Sequence, residues 1–308
     1  MDNFTRRDFL KLGATATGTT ALLTDFETLA RPISHVPSTP GFSLLIFATN
    51  WGYGGTWEEF CVKIKKLGYD GAEFWCPMDA AERSTILETF QKHGLKYGFL
   101  AGNGERDYNK HLQQFKTMVE TAAAAKPVYI NCHAGRDHFS FEQNQAFIDF
   151  TTQVTKKTGI PIYHETHRSR ILYAAPVAKQ FMDKLPDLRL TLDISHWCCV
   201  HETLLEDQPE TVALALSRAE HIHARIGHQE GPQVNDPRAP EWKHALETHI
   251  GWWDKIIERK KKEGKQQTIL TEFGPIDYMP AMPYTRQPLA DQWDINVHMM
   301  NTLRSRYA

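Results

Sequence analysis

Four side chains able to bind a metal or move a proton each close an apolar run in the later part of the sequence. They are Glu165 in IPIYHE, Asp193 in LRLTLDI, His223 in EHIHARI and Glu272 in QQTILTEF. Alone, an acid at the end of such a run is more often a helix cap or an ion-pair partner. Four at successive run ends are harder to obtain that way. Three carboxylates gathered in a dry place need a compensating cation. Oxygen donors with one imidazole suit a divalent ion, Mn²⁺ first and Mg²⁺, Co²⁺ or Zn²⁺ after it, with positions left open for a substrate. The surrounding HETH segment, His164 to His167, is not the HExxH of a zinc protease helix, because its histidines lie three apart on a strand-like run. If Glu165 points inward, His164 points outward and is structural. His167 shares the parity of Glu165 and either lines the pocket or caps the next helix.

The elements that must position these groups recur. KKLGYDGAEFW, QKHGLKYGFL and KKTGIPIYHE each read as a basic helix end, a glycine stop and a strand. With FSLLIFATN, PVYINCH and the late runs, eight strands alternate with helical stretches. One helix opens at Thr56 with Glu59 at capping-box spacing and stops at Gly68. Continuous apolar strands separated by helices predict parallel pairing. Eight such units over 41–308 predict a single-domain α/β fold, a (β/α)₈ TIM barrel, with a doubly wound sheet as the alternative. No GxGxxG or GxxxxGK[ST] follows a strand. The polar stretch from His228 to Pro240 predicts an enlarged loop over one mouth of the barrel, and ERKKKEGK a solvated helix end.

The chain has 308 residues, 41% hydrophobic and 23% charged, with a formal net charge of −2. That balance gives no reason to expect a nucleic acid or an anionic membrane as partner. No run reaches the roughly 18 apolar residues of a spanning helix. TRRDFLK, the weakly apolar LGATATGTTALL and TLA follow the order of a twin-arginine export signal. Residues 1–30 are therefore expected to be a signal peptide and 31–40 a linker. The expected partner is the twin-arginine translocase, and the expected location the periplasm, with no lipid or membrane anchor. Export in the folded state suits a protein whose metal is loaded before it meets competing ions. The five cysteines read as buried thiols.

GYDGAEFW, HETH, LDISHW, HIHAR and TEFGP, in this order, resemble the xylose isomerase-like TIM-barrel superfamily, in its sugar isomerase and epimerase branch that includes the ketose 3-epimerases. The resemblance covers 41–308. It implies metal ligation by Glu165, Asp193, His223 and Glu272, with the two glutamates doubling as acid and base on opposite faces of a sugar. His196 and Arg225 match substrate-contacting positions, and dimers or tetramers are usual in the family. Trp51, Trp75 and Trp197 follow strand ends, where they stack on a sugar or simply pack the wall. The loop GHQEGPQVNDPRAP departs from simple ketose epimerases and would admit a larger or glycosidic substrate, such as a 3-keto-glycoside. There the same base and metal would serve elimination or hydration. Nothing resembles a dedicated sugar-phosphate clamp. An apurinic endonuclease is a second reading, since His133, Asp193, His196 and Asp236 partly fit a trinuclear site. Against it, FLAGNG supplies no histidine and Arg238 stands where another ligand is expected. A sugar-binding barrel with a structural metal is the third.

Overall fold

The computed structural model describes residues 40–308; the expected signal peptide and nearly all of the linker lie outside the described residues. Eight strands, β1 (Ser43–Thr49), β2 (Gly71–Trp75), β3 (Lys96–Gly102), β4 (Ile130–His133), β5 (Ile162–Glu165), β6 (Leu190–Leu192), β7 (Ala219–Ala224) and β8 (Gln266–Thr271), close into one parallel barrel in sequence order. Helices α1 (Trp57–Leu67), α2 (Ala80–Lys92), α3 (Tyr108–Ala124), α4 (Phe141–Thr158) and α5 (Ala175–Lys184) follow the first five strands. Then come α6 (Ser195–His201) and α7 (Pro209–Arg218) after β6, α8 (Lys243–Glu263) after β7, and α9 (Gln292–Tyr307) after β8. The chain is a (β/α)₈ TIM barrel.

Local chemistry sets the punctuation. Thr56 and Glu59 form the capping box of α1, and Gly68 closes it at φ 95°, a left-handed backbone that costs glycine little. Gly159 and Gly264 end α4 and α8 in the same way. The outer strand faces and inner helix faces make the main core, where Phe74 packs against Trp57, Phe90 and Phe99. Within the barrel a smaller apolar floor of Leu45, Phe47, Tyr129 and Leu270 lies apart from that core. Gly98 makes room for it, since a Cβ there would come within 2.5 Å of the Tyr129 ring. All five cysteines are free thiols, four of them buried. Among the described residues, no helix is long and apolar enough to cross a membrane.

Several strands are shorter than the sequence predicts. β6 ends at Leu192 and β8 at Thr271, so Asp193 and Glu272 lie one residue beyond the ladder, where the chain turns out of the sheet. Asp193 stays fixed because its backbone N–H donates to Thr166 Oγ1 at 2.9 Å. The segment 225–242 is the expected loop at the mouth. It is pinned by Val234 N–H to the Ile226 carbonyl, and Gln233 both accepts from and donates to the backbone of Gly274. A second long connection, 275–291 between β8 and α9, was not foreseen; short bridges between Ile276 and Met279 and between Ala281 and Pro288 shape it.

Candidate active site

At the carboxyl end of the barrel, Glu165, Asp193, His223 and Glu272 each present one ligand atom, and these atoms lie within 4.8 Å of one another. All four side chains are buried. His223 Nδ1 is 2.8 Å from Glu272 Oε2 and 3.7 Å from Glu165 Oε1. Yet none of these three atoms makes a hydrogen bond among the described residues. They are close but poorly aligned with one another. Buried polar atoms are normally satisfied, so orphaned donors and acceptors around one point fit a shared cation. The group could hold a divalent ion.

The neighbours fix how these side chains point. Glu165 Oε2 accepts from Asn131 Nδ2 at 2.7 Å and contacts His133 Nε2 at 2.5 Å, which leaves Oε1 for the cluster. Arg225 is buried, pairs with Asp193, and reaches Glu272 Oε2 at 3.3 Å. It also donates to His196 Nε2 at 3.0 Å. Ser195 donates its hydroxyl to Asp193. Below the cluster, Glu73 projects from β2 with Oε1 3.1 Å from His223 Nε2 and Oε2 3.3 Å from His221 Nε2. His221 Nδ1 donates to the Thr268 carbonyl at 3.0 Å. Because Nε2 of His223 faces Glu73, its Nδ1 faces the cluster, an arrangement common behind metal-binding histidines.

The electrostatics follow from burial and crowding. Burial alone would raise Glu73, but His223 and His221 hold its carboxyl well below the usual range. Glu165 is likewise held low against burial, by His133 and His223. Asp193 goes the other way, pushed up to about 6 because burial outweighs the Arg225 guanidinium, with Glu272 and Glu165 adding repulsion. His223 rises well above its ordinary value despite burial, through Glu272, Glu165 and Glu73.

Other expected residues divide. His167 lines the site: its ring lies 3.9 Å from that of His196 and 4.7 Å from that of His133. Its Nδ1 donates to the Arg168 carbonyl at 2.6 Å, which turns Nε2 towards the Tyr278 hydroxyl at 3.4 Å. Burial first, then His133, lowers its pKa to about 3. His164 points outward to Thr151 Oγ1 at 2.8 Å and is structural. Trp75 stands edge-on to His133 at 5.6 Å and Trp51 edge-on to Tyr278 at 4.9 Å, both partly exposed at the mouth. Trp197 does not join them. It is fully buried, with Nε1 donating to the Leu172 carbonyl, so it packs the wall and offers no face to a sugar. Asp236 is taken up by Arg238 at 2.7 Å, and the metal-binding groupings among the described residues do not include it.

Glu73, Asn131, His221 and Tyr278 were missed. Glu73 did leave a signal, a carboxylate inside the apolar GAEFW, on the same face as Trp75. Tyr278 comes from the 275–291 connection and stacks on Arg225 and Arg168, with its ring centroid 4.7 and 5.0 Å from their guanidinium carbons.

Known structures share this architecture. The 3-keto-D-glucoside 4-epimerase of E. coli matches with a TM-score of 0.58 at 15% identity, covering 85% of this chain and 100% of that one. A D-tagatose 3-epimerase-like protein gives 0.55 at 11% identity, over 85% and 96%. A probable 3-DHS dehydratase of Bacillus anthracis gives 0.54 at 15% identity, over 85% and 99%. At such identities the likeness is one of fold. No curated protein matched the sequence. The model of the xylose isomerase-like TIM barrel matches residues 61–258, about two thirds of the chain. The chain belongs to the xylose isomerase-like TIM-barrel family.

Proposed function

We propose that this protein is a divalent-metal-dependent sugar isomerase or epimerase, with Mn²⁺ as its metal and a ketose or keto-sugar as its substrate. The observation that carries the reading is the convergence of Glu165, Asp193, His223 and Glu272, of which Glu165 Oε1, His223 Nδ1 and Glu272 Oε2 make no hydrogen bond among the described residues. When bound, the ion supplies positive charge to a carbonyl oxygen and its neighbouring hydroxyl, stabilising the charge that appears as the α-proton leaves. Glu165 and Glu272 stand three strands apart around the ring. One removes the proton and the other returns one from the opposite face. His196, Arg225, His167 and His133 orient the sugar's oxygens, and Trp51 and Trp75 offer it apolar faces at the mouth. Burial of the four ligands excludes water, which strengthens each of these interactions.

A lyase or hydratase acting on a 3-keto-glycoside is the second reading. It is favoured by the two long connections at the mouth, 225–242 and 275–291. The fold likeness to both a 3-keto-glucoside epimerase and a probable dehydratase is consistent with one base serving either outcome. The same reading takes residues 1–30 as a twin-arginine signal, 31–40 as a linker, the periplasm as destination and a homo-oligomer as the working form.

Titration of the metal-free protein with Mn²⁺, followed by calorimetry, tests the reading. One ion per chain is expected for the wild type and none for His223→Ala. Full Mn²⁺ affinity in His223→Ala, or no binding by the wild type, would overturn it.

A further inference from the structure

Elimination needs one group that epimerisation does not. Epimerisation takes a proton from carbon and returns one to carbon, so two carboxylates suffice. Elimination from a 3-keto-glycoside breaks the C2–H and C1–O bonds, and the departing oxygen needs a proton of its own. Most donors around the cluster are engaged. Ser195 gives its hydroxyl proton to Asp193, and Asn131 donates to Glu165 Oε2, which His133 Nε2 also faces at 2.5 Å. His167 gives its Nδ1 proton to the Arg168 carbonyl, which leaves Nε2 as an acceptor. His196 accepts at Nε2 from Arg225, so its own proton sits on a buried Nδ1 without a partner. Neutral imidazole N–H groups and aliphatic hydroxyls are far weaker acids than a phenol, and guanidinium groups do not give up a proton. Among the described residues at the mouth, that leaves the phenol of Tyr278.

Tyr278 Oη lies 3.4 Å from His167 Nε2, and its ring stands edge-on to that of His196 at 6.2 Å. Because His167 Nε2 accepts, the phenolic proton points to it across a long contact that a nearer oxygen in the cleft would displace. The guanidinium groups of Arg225 and Arg168 lie over the ring, so a phenolate left behind meets two cations. Burial raises the phenol above its ordinary value and keeps it protonated, with Arg225 and then Arg168 acting against that. The 275–291 connection holds this position. The N–H groups of Tyr278 and Met279 both donate to the Pro275 carbonyl, at 3.1 and 2.8 Å. Asp277 has φ 88°, a conformation that non-glycine residues hold only when the surroundings enforce it, and Arg286 Nη2 donates to its carboxylate at 2.7 Å. Asp277 is thereby exposed and Met279 buried, with the Tyr278 ring against Trp51 between them.

We infer that Tyr278 is the catalytic acid of an elimination, giving its phenolic proton to the departing glycosidic oxygen. One of the two site glutamates takes the proton from C2. The C–H electron pair forms the C1=C2 bond, the C1–O bond breaks, and the released electron pair takes the proton from Tyr278 Oη. An unsaturated keto-sugar and an alcohol leave. The proton on the glutamate then passes through water to the phenolate, which restores both groups. This rests on the lyase reading above and adds to it the group that separates elimination from epimerisation.

The test compares two 3-keto-glucosides on the full Mg²⁺-loaded protein, followed by proton NMR in D₂O. The methyl glycoside has an alkoxide that cannot leave without a proton, whereas the p-nitrophenyl glycoside has a phenolate that can. The wild type is expected to release both alcohols. Tyr278→Phe keeps the ring and its cation contacts. It should slow release of methanol by about 10²–10⁴-fold and of p-nitrophenolate by less than about tenfold. Mn²⁺ should still bind with wild-type affinity, and C2 should continue to exchange its proton for deuterium. A fall of equal size for both glycosides, as a merely loosened connection would give, or release of methanol at the wild-type rate, would overturn the inference and leave the lyase reading standing. A wild type that frees no alcohol from either glycoside removes the lyase reading and takes this inference with it.

Discussion

The two halves of the barrel do different work at the same mouth. Strands β5 to β8 deliver Glu165, Asp193, His223 and Glu272 at or one residue beyond their ends, with ligand atoms facing one point. Strands β1 to β4 deliver no member of that group. They bring Trp51, Glu73, Trp75, Asn131 and His133, which wall the cleft or hold the late-half groups in place. The contrast teaches that one side of the ring holds the candidate chemistry and the other orients it. A late-half carboxylate should therefore be replaceable only at the expense of turnover. An early-half partner should be replaceable at the expense of affinity or geometry.

The division is tested most severely at Glu272. Glu272→Gln keeps an oxygen for the cluster but cannot accept the proton. It should lower substrate proton exchange by about 10²–10⁴-fold while measurable Mn²⁺ binding survives. Wild-type exchange in that variant would remove Glu272 from the mechanism.

Glu73 is the matching test of the early half. It is buried and faces His223 Nε2 at 3.1 Å. Glu73→Gln should weaken Mn²⁺ binding by about 10–100-fold, read by calorimetry, with unchanged stoichiometry. Unaltered affinity would make Glu73 a packing residue. Loss as complete as in His223→Ala would erase the distinction between the halves.

The smallest effect lies away from the cluster, at His249 of α8. Its Nε2 accepts from the Gly227 N–H, and burial lowers its pKa to about 4. A histidine kept neutral in the fold but free to take a proton when unfolded stabilises the protein fully above about pH 6.5, and this contribution is lost as the pH falls towards 4. The melting temperature of the metal-free protein should fall between pH 7 and pH 5, and less steeply in His249→Gln. An equally steep fall in the variant would assign the acid sensitivity to other groups.

The same contrast explains what could be read from the sequence. The late-half groups were legible because each is a single polar residue closing an apolar run, and the glycine stops before strands gave the barrel its register. His164 and His167 were separable by strand parity, although only the structure showed that His167 lines the site. Glu73 was hidden by its position inside a run that ends in tryptophan, so attention fell on Trp75. Asn131 and His221 acquire their roles only through partners on other strands, at separations no local pattern encodes. Trp197 stayed open between the two roles because a tryptophan four residues after an aspartate at the mouth has the same sequence signature whether it faces the cleft or the wall. Tyr278 lies in a connection without periodicity.

The most direct test of the central claim is proton NMR in D₂O on residues 31–308, loaded with diamagnetic Mg²⁺. The samples would contain free ketoses and 3-keto-glycosides. The account predicts deuterium at one carbon adjacent to a carbonyl, only with metal present and not in Glu272→Gln, and the product would separate epimerisation from elimination. Metal-bound protein that binds a sugar yet exchanges no proton across the panel would contradict it, leaving a barrel that binds sugars without transforming them.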